Sequence, residues 1–427
     1  MEAVTLLIAA AASALIFFLS PIYGLVVYMA ALIWYPQNLG VELGPAAFSV
    51  SRIVILPLYL SIFLKKDSLK QFQLIWLDKL VIIYFAARIL SGATTTPDIM
   101  KLIEYNSGVF FDRALPYFAV RIIITNKEQY LLFLKWVLWL CAPLAILAFY
   151  ECLTAHNLVA FGRVDMVYSG HRWGGYRARA TFGHPIYLGV FFAMVGAICT
   201  GLLKNIKKGR LFYMIGIALT GLGVFSSLSS GGLFAMASAI LFIAFYRFRR
   251  YWKSAIIGII LMCGVVEIIS NRHFYDVVDR FAFNAATGWY RTRLFEVALF
   301  EGGMSGHLLT GYGMADPMWC DKIDGRDHTD MVNQYLLILC RFGLVGFVPF
   351  LLITWTAIKH LFKGFWKISA ETDSWLVWCL AAGLFSVLFA FNSVSLFGQP
   401  INLFYMILGL CVALPAELAE RAPFCLV

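Results

Sequence analysis

The residues of this chain best suited to chemistry are arginines, and two pairs stand out by spacing. Arg177 and Arg179 lie in the segment Arg177-Ala178-Arg179-Ala180-Thr181-Phe182-Gly183-His184-Pro185, and Arg291 and Arg293 in Trp289-Tyr290-Arg291-Thr292-Arg293-Leu294-Phe295-Glu296. Two side chains at i, i+2 face one ligand when the segment is extended. A guanidinium stays charged, is weakly hydrated and presents a planar fork that matches phosphate oxygens. A third constellation, Asp327-His328-Thr329-Asp330-Met331-Val332-Asn333, holds proton acceptors. His328 can take a proton from a hydroxyl, and Asp330 can orient it or act in its place.

Each group also has a structural reading. His184 precedes Pro185 at a helix start, where the dipole disfavours protonation and a capping role is expected. Leu294, Val297 and Ala298 recur at helical spacing, so 289–300 reads as an amphipathic helix near a membrane interface, on which Arg293 and Glu296 are i, i+3 neighbours able to pair. Other arginines can pair with Asp112, Glu151, Glu267 or Asp279. Gly311-Tyr312-Gly313 permits a sharp backbone turn. Asp321, Asp324, Asp327 and Asp330 recur every third residue, but Lys322 and Arg326 interrupt them and the calcium-loop spacing is absent, so they read as a solvated acidic face. No CxxC or Cys/His spacing suggests zinc, and the cysteines mostly sit in apolar runs. There is no Walker loop, GxGxxG or GxSxG.

The elements that position these groups follow from composition. The chain has 427 residues, 61% hydrophobic and 14% charged, with a net charge of +10 and a mean hydropathy of +0.80. Soluble domains carry about 45–50% apolar and about 25% charged residues. A soluble enzyme, a disordered chain and a disulfide scaffold are excluded, leaving an all-α polytopic membrane bundle. Apolar runs cover 4–19, 21–36, 48–64, 74–92, 109–124, 130–152, 182–203, 211–227, 230–247, 254–270, 331–358, 375–395 and 400–415. The first two, divided by Ser20-Pro21, form either a hairpin or one broken element, so 12 or 13 spans are expected. The start, Met1-Glu2-Ala3, lacks the basic region of a signal peptide. Two stretches are too long and polar for turns, 154–181 and 271–330.

Charge then assigns sides. Lys65, Lys66 and Lys70; Lys204, Lys207 and Lys208; Arg247, Arg249, Arg250 and Lys253; and Lys359, Lys363 and Lys367 fall in four loops on one side of such a bundle, the cytoplasmic side by the positive-inside rule. Both long loops then lie outside, with Arg52, Arg88, Arg113, Arg163, Arg172, Arg177, Arg179, Arg272, Arg280, Arg291, Arg293 and Arg326. Arginine kept on that face points to an anionic ligand rather than to nucleic acid.

These features resemble the O-antigen ligase/polymerase family of bacterial membrane glycosyltransferases. The family pattern is matched by Arg177 with Ala180-Thr181-Phe182-Gly183-His184-Pro185, by Arg293-Leu294 followed by Gly311-Tyr312-Gly313, and by Asn333-Gln334-Tyr335-Leu336 followed by Gly343-Leu344-Val345-Gly346. The matching core runs over 177–347. Val297 stands where the family has tryptophan, Ser230 where many members have arginine, and Val332 where the family has its histidine; His328 and Asp330 lie just before it.

The resemblance implies a GT-C-like bundle in the bacterial plasma membrane, with a catalytic loop at 271–330 on the extracytoplasmic face. It implies transfer of a glycan from undecaprenyl diphosphate to an acceptor hydroxyl, on a growing glycan or on lipid A–core, without metal or other cofactor. Arg177, Arg179, Arg291 and Arg293 would neutralise the departing diphosphate. His328 is the first candidate base and Asp330 the second; Asn333, His184, Arg113 and Arg88 would support the site, and membrane lipid would surround it. Ligation and repeat-unit polymerisation share these motifs. A lipid-linked glycan flippase is the rival from another class, but it should concentrate ionisable groups and broken helices at the midplane.

Overall fold

The computed structural model is a helical bundle and describes residues 2–420 except 38, 44–45, 66, 71, 97, 161–169, 270–272 and 274–284. Lys66, Arg163, Arg272, Asp279 and Arg280 lie outside the described residues. Among the described residues, each apolar run identified above lies mainly on helix. The first half contains α1 (Glu2–Phe18), α2 (Pro21–Trp34), α3 (Val50–Lys65), the short α4 (Asp67–Lys70), α5 (Trp76–Thr95), α6 (Ile99–Val109), a π-helical turn (Phe110–Ala114), α7 (Leu115–Ile123) and α8 (Lys127–Thr154). The second half contains α9 (Pro185–Cys199), α10 (Leu202–Asn205), α11 (Arg210–Ser226), α12 (Ser230–Ala244), a 3-10 turn (Phe245–Tyr251), α13 (Trp252–Ile269), α14 (Ala285–Leu299), α15 (Cys320–Ile323), α16 (Gln334–Phe365), α17 (Glu371–Ala390) and α18 (Gln399–Glu420). Two small antiparallel hairpins, 40–49 and 171–176, are the strands described.

Six helical segments are long and apolar enough to cross a membrane: Lys127–Thr154, Pro185–Asn205, Ser230–Ile269, Gln334–Phe365, Glu371–Ala390 and Gln399–Ala419. The chain is therefore a multi-pass membrane protein. The apolar helices α1, α2 and α11 are shorter. α18 is the centre of the bundle, buried along Ile401–Val412 and packed against α7, α9, α16 and α17. At the periphery α13 exposes Ile256, Ile257, Ile259, Ile260 and Leu261, surface that suits hydrocarbon rather than water.

The choice between a hairpin and one broken helix at Ser20-Pro21 resolves in favour of the hairpin. The Thr5 hydroxyl, near the start of α1, is 2.5 Å from the Tyr35 hydroxyl just past the end of α2. At the other tip, the Lys65 ammonium reaches the carbonyl of Leu19. Proline at the first position of α2 costs no hydrogen bond, because that N–H has no helical partner anyway.

The four basic loops meet at one end of the bundle. Arg121 binds Asp78 and the Gln73 carbonyl. Lys127 pairs with Asp373, and Lys204 with Glu371 at 2.6 Å. The Tyr246 hydroxyl meets Ser374 at 2.9 Å. The opposite end collects 35–37, 39–43, 46–49, the start of α6, 170–184, 226–230, 300–333 and 391–398, and it contains the candidate site.

One helix is broken. Within α16, Gly343 has φ 56° and ψ −159°, which leaves backbone groups of the helix without their usual partners. The loop at 308–313 supplies new ones. Leu344 and Val345 donate to the carbonyls of Leu308 and Leu309, while Tyr312 and Gly313 donate to those of Cys340 and Arg341. Gly311-Tyr312-Gly313 and Gly343-Leu344-Val345-Gly346, two motifs far apart in sequence, thus interlock as one structure. Only glycine fits at Gly343: a Cβ there would lie 2.2 Å from the Leu309 oxygen.

Candidate functional site

The site is built around the segment that carries Arg177 and Arg179. Its backbone is fixed from several sides. At the end of α8 the Glu151 carboxylate accepts the N–H groups of Arg179 at 3.3 Å and Ala180 at 2.8 Å. Asn157 donates to the Ala180 carbonyl, Gln399 to that of Thr181, and the Thr181 hydroxyl to that of Ile33. Ala180 is held at φ 47°, a left-handed conformation that these bonds impose. Glu151 therefore binds the backbone of the segment, a use that pairing rules alone do not anticipate.

His184 is the N-cap of α9, its Nδ1 accepting the Ile186 N–H at 3.2 Å. Burial, with Arg177 and Arg179 nearby, pushes its pKa down to about 4. It is neutral at physiological pH, which suits an acceptor at a helix N-terminus. Burial, followed by the neighbouring Arg172, brings Arg177 down to about 10. Positive charge is thus crowded at this point, although Arg179 is almost buried.

Next to Gly183 a cavity of about 670 Å³ opens. Arg52, Lys101, Glu104, Tyr105, Asp112, Arg113, Tyr187 and the amides of Gln37 and Gln399 are in its walls. Arg52 holds Asp112 by two hydrogen bonds, at 2.9 and 2.5 Å, so this arginine is committed. Arg113 sits in the π-helical turn, the extra residue of which displaces it from the ordinary helical register. It is 5% exposed, lines the cavity, and no ion pair joins it to a carboxylate among the described residues.

The described part of 271–330 folds as a cover over this end. α14 buries Tyr290, Leu294, Val297 and Ala298 against Met304, Trp319, Ile323 and the start of α16. The amphipathic spacing expected at 289–300 is realised, with Glu301 beyond the helix end. The Tyr290 hydroxyl donates to the Asp330 carbonyl at 3.1 Å and accepts the Asp330 N–H at 2.9 Å. Asp330 is consequently clamped at its backbone, and its carboxylate is close enough to act electrostatically on the phenol of Tyr187 in the cavity wall.

The other sequence candidates separate. The Arg293 guanidinium binds Glu301 and, at 3.1 Å, Glu296, the i, i+3 pairing foreseen. It does not line the cavity. Arg291 is half-buried on the same helix. His328 is exposed, and no hydrogen bond or ion pair engages it among the described residues. Asn333 caps α16 by accepting from Tyr335 and Leu336 and ties it to Asn392. Arg88 is 1% exposed and donates to the hydroxyls of Tyr84 and Tyr105.

Sequence reasoning missed Tyr105, Arg341, Gln37 and Gln399. Arg341 had a signal, since an arginine within an apolar run needs a partner. Tyr105 had none. No family model matches the chain, and no match was found among curated proteins.

Proposed function

We propose that the protein is a membrane glycosyltransferase of the O-antigen ligase/polymerase type. It would move a glycan from a polyprenyl diphosphate to an acceptor hydroxyl at the outer face of the plasma membrane. The observation that carries this reading is the junction at Gly183. There a cavity with Arg113, Lys101 and Tyr187 in its walls adjoins the Arg177–Arg179 segment. Thirteen helical traverses, the hairpin counted as two, and a GT-C-like arrangement with 271–330 outside belong to the same proposal.

In this mechanism the acceptor oxygen attacks the anomeric carbon, the bond from that carbon to the diphosphate oxygen breaks, and the acceptor proton passes to a carboxylate. Asp330 is the better supported base, because Tyr290 fixes its backbone, whereas no such contact fixes His328 among the described residues; both side chains are exposed. Arg113, Arg177 and Arg179 would neutralise the diphosphate as it leaves. Arg293, committed to two glutamates, organises the cover. The break in α16 is filled by the chain's own loop, which favours this reading over a transporter with an ion-coordinating broken helix.

The test is purified protein incubated with a lipid-diphosphate glycan and candidate acceptors, with products identified by mass. Transfer is expected, abolished in Asp330→Asn and retained in His328→Ala. No transfer to any acceptor, with the donor recovered intact, would overturn the proposal.

A further inference from the structure

Three arginines from three parts of the chain converge on one phenol beside the cavity. Tyr105 lies on α6, ahead of the apolar run at 109–124. Its hydroxyl accepts from Arg88 Nη2 at 3.0 Å. The Arg341 guanidinium, on α16, is 5.2 Å from the centre of its ring, and that of Arg88 is 5.4 Å away. Arg113, in the π-helical turn, and Tyr105 line the same cavity.

No carboxylate pairs with Arg88, Arg341 or Arg113 among the described residues. Arg88 is buried, with the hydroxyls of Tyr84 and Tyr105 and the face of Phe342, 4.2 Å away, around it. The acids nearby are otherwise placed: Asp112 is bound by Arg52, and Glu104 is exposed on the same helix as Lys101. Gathering guanidiniums away from water costs a great deal unless negative charge is among them. Burial raises the pKa of Tyr105, but Arg88, Arg341 and Arg113 together outweigh it and bring it down to about 7.

We propose that Tyr105 with Arg88, Arg341 and Arg113 forms a proton-linked anion site for a phosphate-class ligand. In the empty cavity the Tyr105 oxygen carries the negative charge that the arginines require. When a phosphate oxyanion settles beside Arg113, it supplies that charge itself and repels the phenolate. Tyr105 then takes up one proton from solvent, and no other bond is made or broken. Ligand binding therefore strengthens as pH falls through 7, because the protonated tyrosine is the form compatible with a second anion. The inference rests on the reading of this cavity as a diphosphate site and adds how its charge is balanced before the ligand arrives.

The experiment follows the near-ultraviolet phenolate band of the purified protein, with inorganic pyrophosphate as the probe. Wild-type protein should show one tyrosine titrating between about pH 6 and 8, far below the ordinary value near 10. Pyrophosphate added at about pH 7.5 should remove at least half of that band. Tyr105→Phe should lack the step. Arg341→Gln, which keeps the phenol, should move the step upward by about one pH unit or more. In Arg113→Gln the band should no longer respond to pyrophosphate. A wild-type protein with no such step, or with a step that pyrophosphate leaves unchanged, overturns the inference. Glycan transfer is measured separately. Transfer without the step refutes the tyrosine site alone, whereas a pyrophosphate-sensitive step without transfer upholds it and refutes the sugar chemistry.

Discussion

At the scale of single residues, the clamp on Asp330 makes a sharper prediction than the charges around it. Both backbone groups of Asp330 meet the Tyr290 hydroxyl, so Tyr290→Phe removes two hydrogen bonds at about 0.5–1.5 kcal/mol each without changing volume. If Asp330 is the base, the loss should fall on kcat, by about 5- to 30-fold, because the backbone that carries its carboxylate is no longer held while the binding groups are intact. Steady-state kinetics on a defined donor would show this; an unchanged kcat with a raised KM would assign Tyr290 to substrate binding instead. Arg293→Gln contrasts with it. The Arg293 side chain is 26% exposed and its partners are Glu296 and Glu301, so removing it should cost about 1 kcal/mol or less in thermal stability and change kcat little. The arginine fork was legible in the sequence as chemistry, but whether a given fork meets a ligand or a glutamate depends on which carboxylates fold beside it. Arg293 was readable because Glu296 is three residues away. Arg88 was readable only in part: Tyr84 lies four residues before it on α5, but its second partner, Tyr105, comes from another helix with no spacing that marks it.

At the scale of elements, helices were readable from apolar runs because length and hydrophobicity are local quantities. The break in α16 was not. Gly343-Leu344-Val345-Gly346 reads as an ordinary apolar stretch, and nothing local says that Gly343 leaves the helix to pair its neighbours with Leu308 and Leu309. Similarly, the use of Glu151 to hold the N–H groups of Arg179 and Ala180 joins the end of one helix to a loop. The interlock should be the least tolerant backbone position of the outer end. At Gly343 a methyl group meets the Leu309 oxygen at 2.2 Å in a conformation that L residues avoid, whereas at Gly183 nothing lies within 4 Å. Gly343→Ala should therefore lower stability by about 3 kcal/mol or more, or prevent accumulation of folded protein. Gly183→Ala should leave it within about 1 kcal/mol of wild type. Thermal unfolding in detergent distinguishes them, and equal tolerance at both positions would show that the loop does not depend on this close approach.

At the scale of the whole molecule, charge and chemistry are divided between two ends. The lysines at one end have structural partners: Lys127 with Asp373, Lys204 with Glu371, Lys65 with the tip of the α1–α2 hairpin. These contacts brace the bundle, and by the positive-inside rule lysine at that end is expected on the cytoplasmic side. At the other end Arg52 and Arg113 line a cavity. In the proposed topology the 303–309 loop and the 206–209 loop lie on opposite sides of the membrane, so their exposure to solvent can be measured independently. Ser305 and Lys208 are both exposed, and the cysteines of the described helices are mostly buried. With a membrane-impermeant thiol reagent applied to intact cells lacking any outer barrier, Ser305→Cys should be labelled above the wild-type background. Lys208→Cys should be labelled only after the membrane is opened. Labelling of both without opening would contradict the two-ended arrangement. A reversed pattern would put the cavity in the cytoplasm, where a glycan already carried outside on its lipid could not reach it, and the transferase reading would fail with the topology.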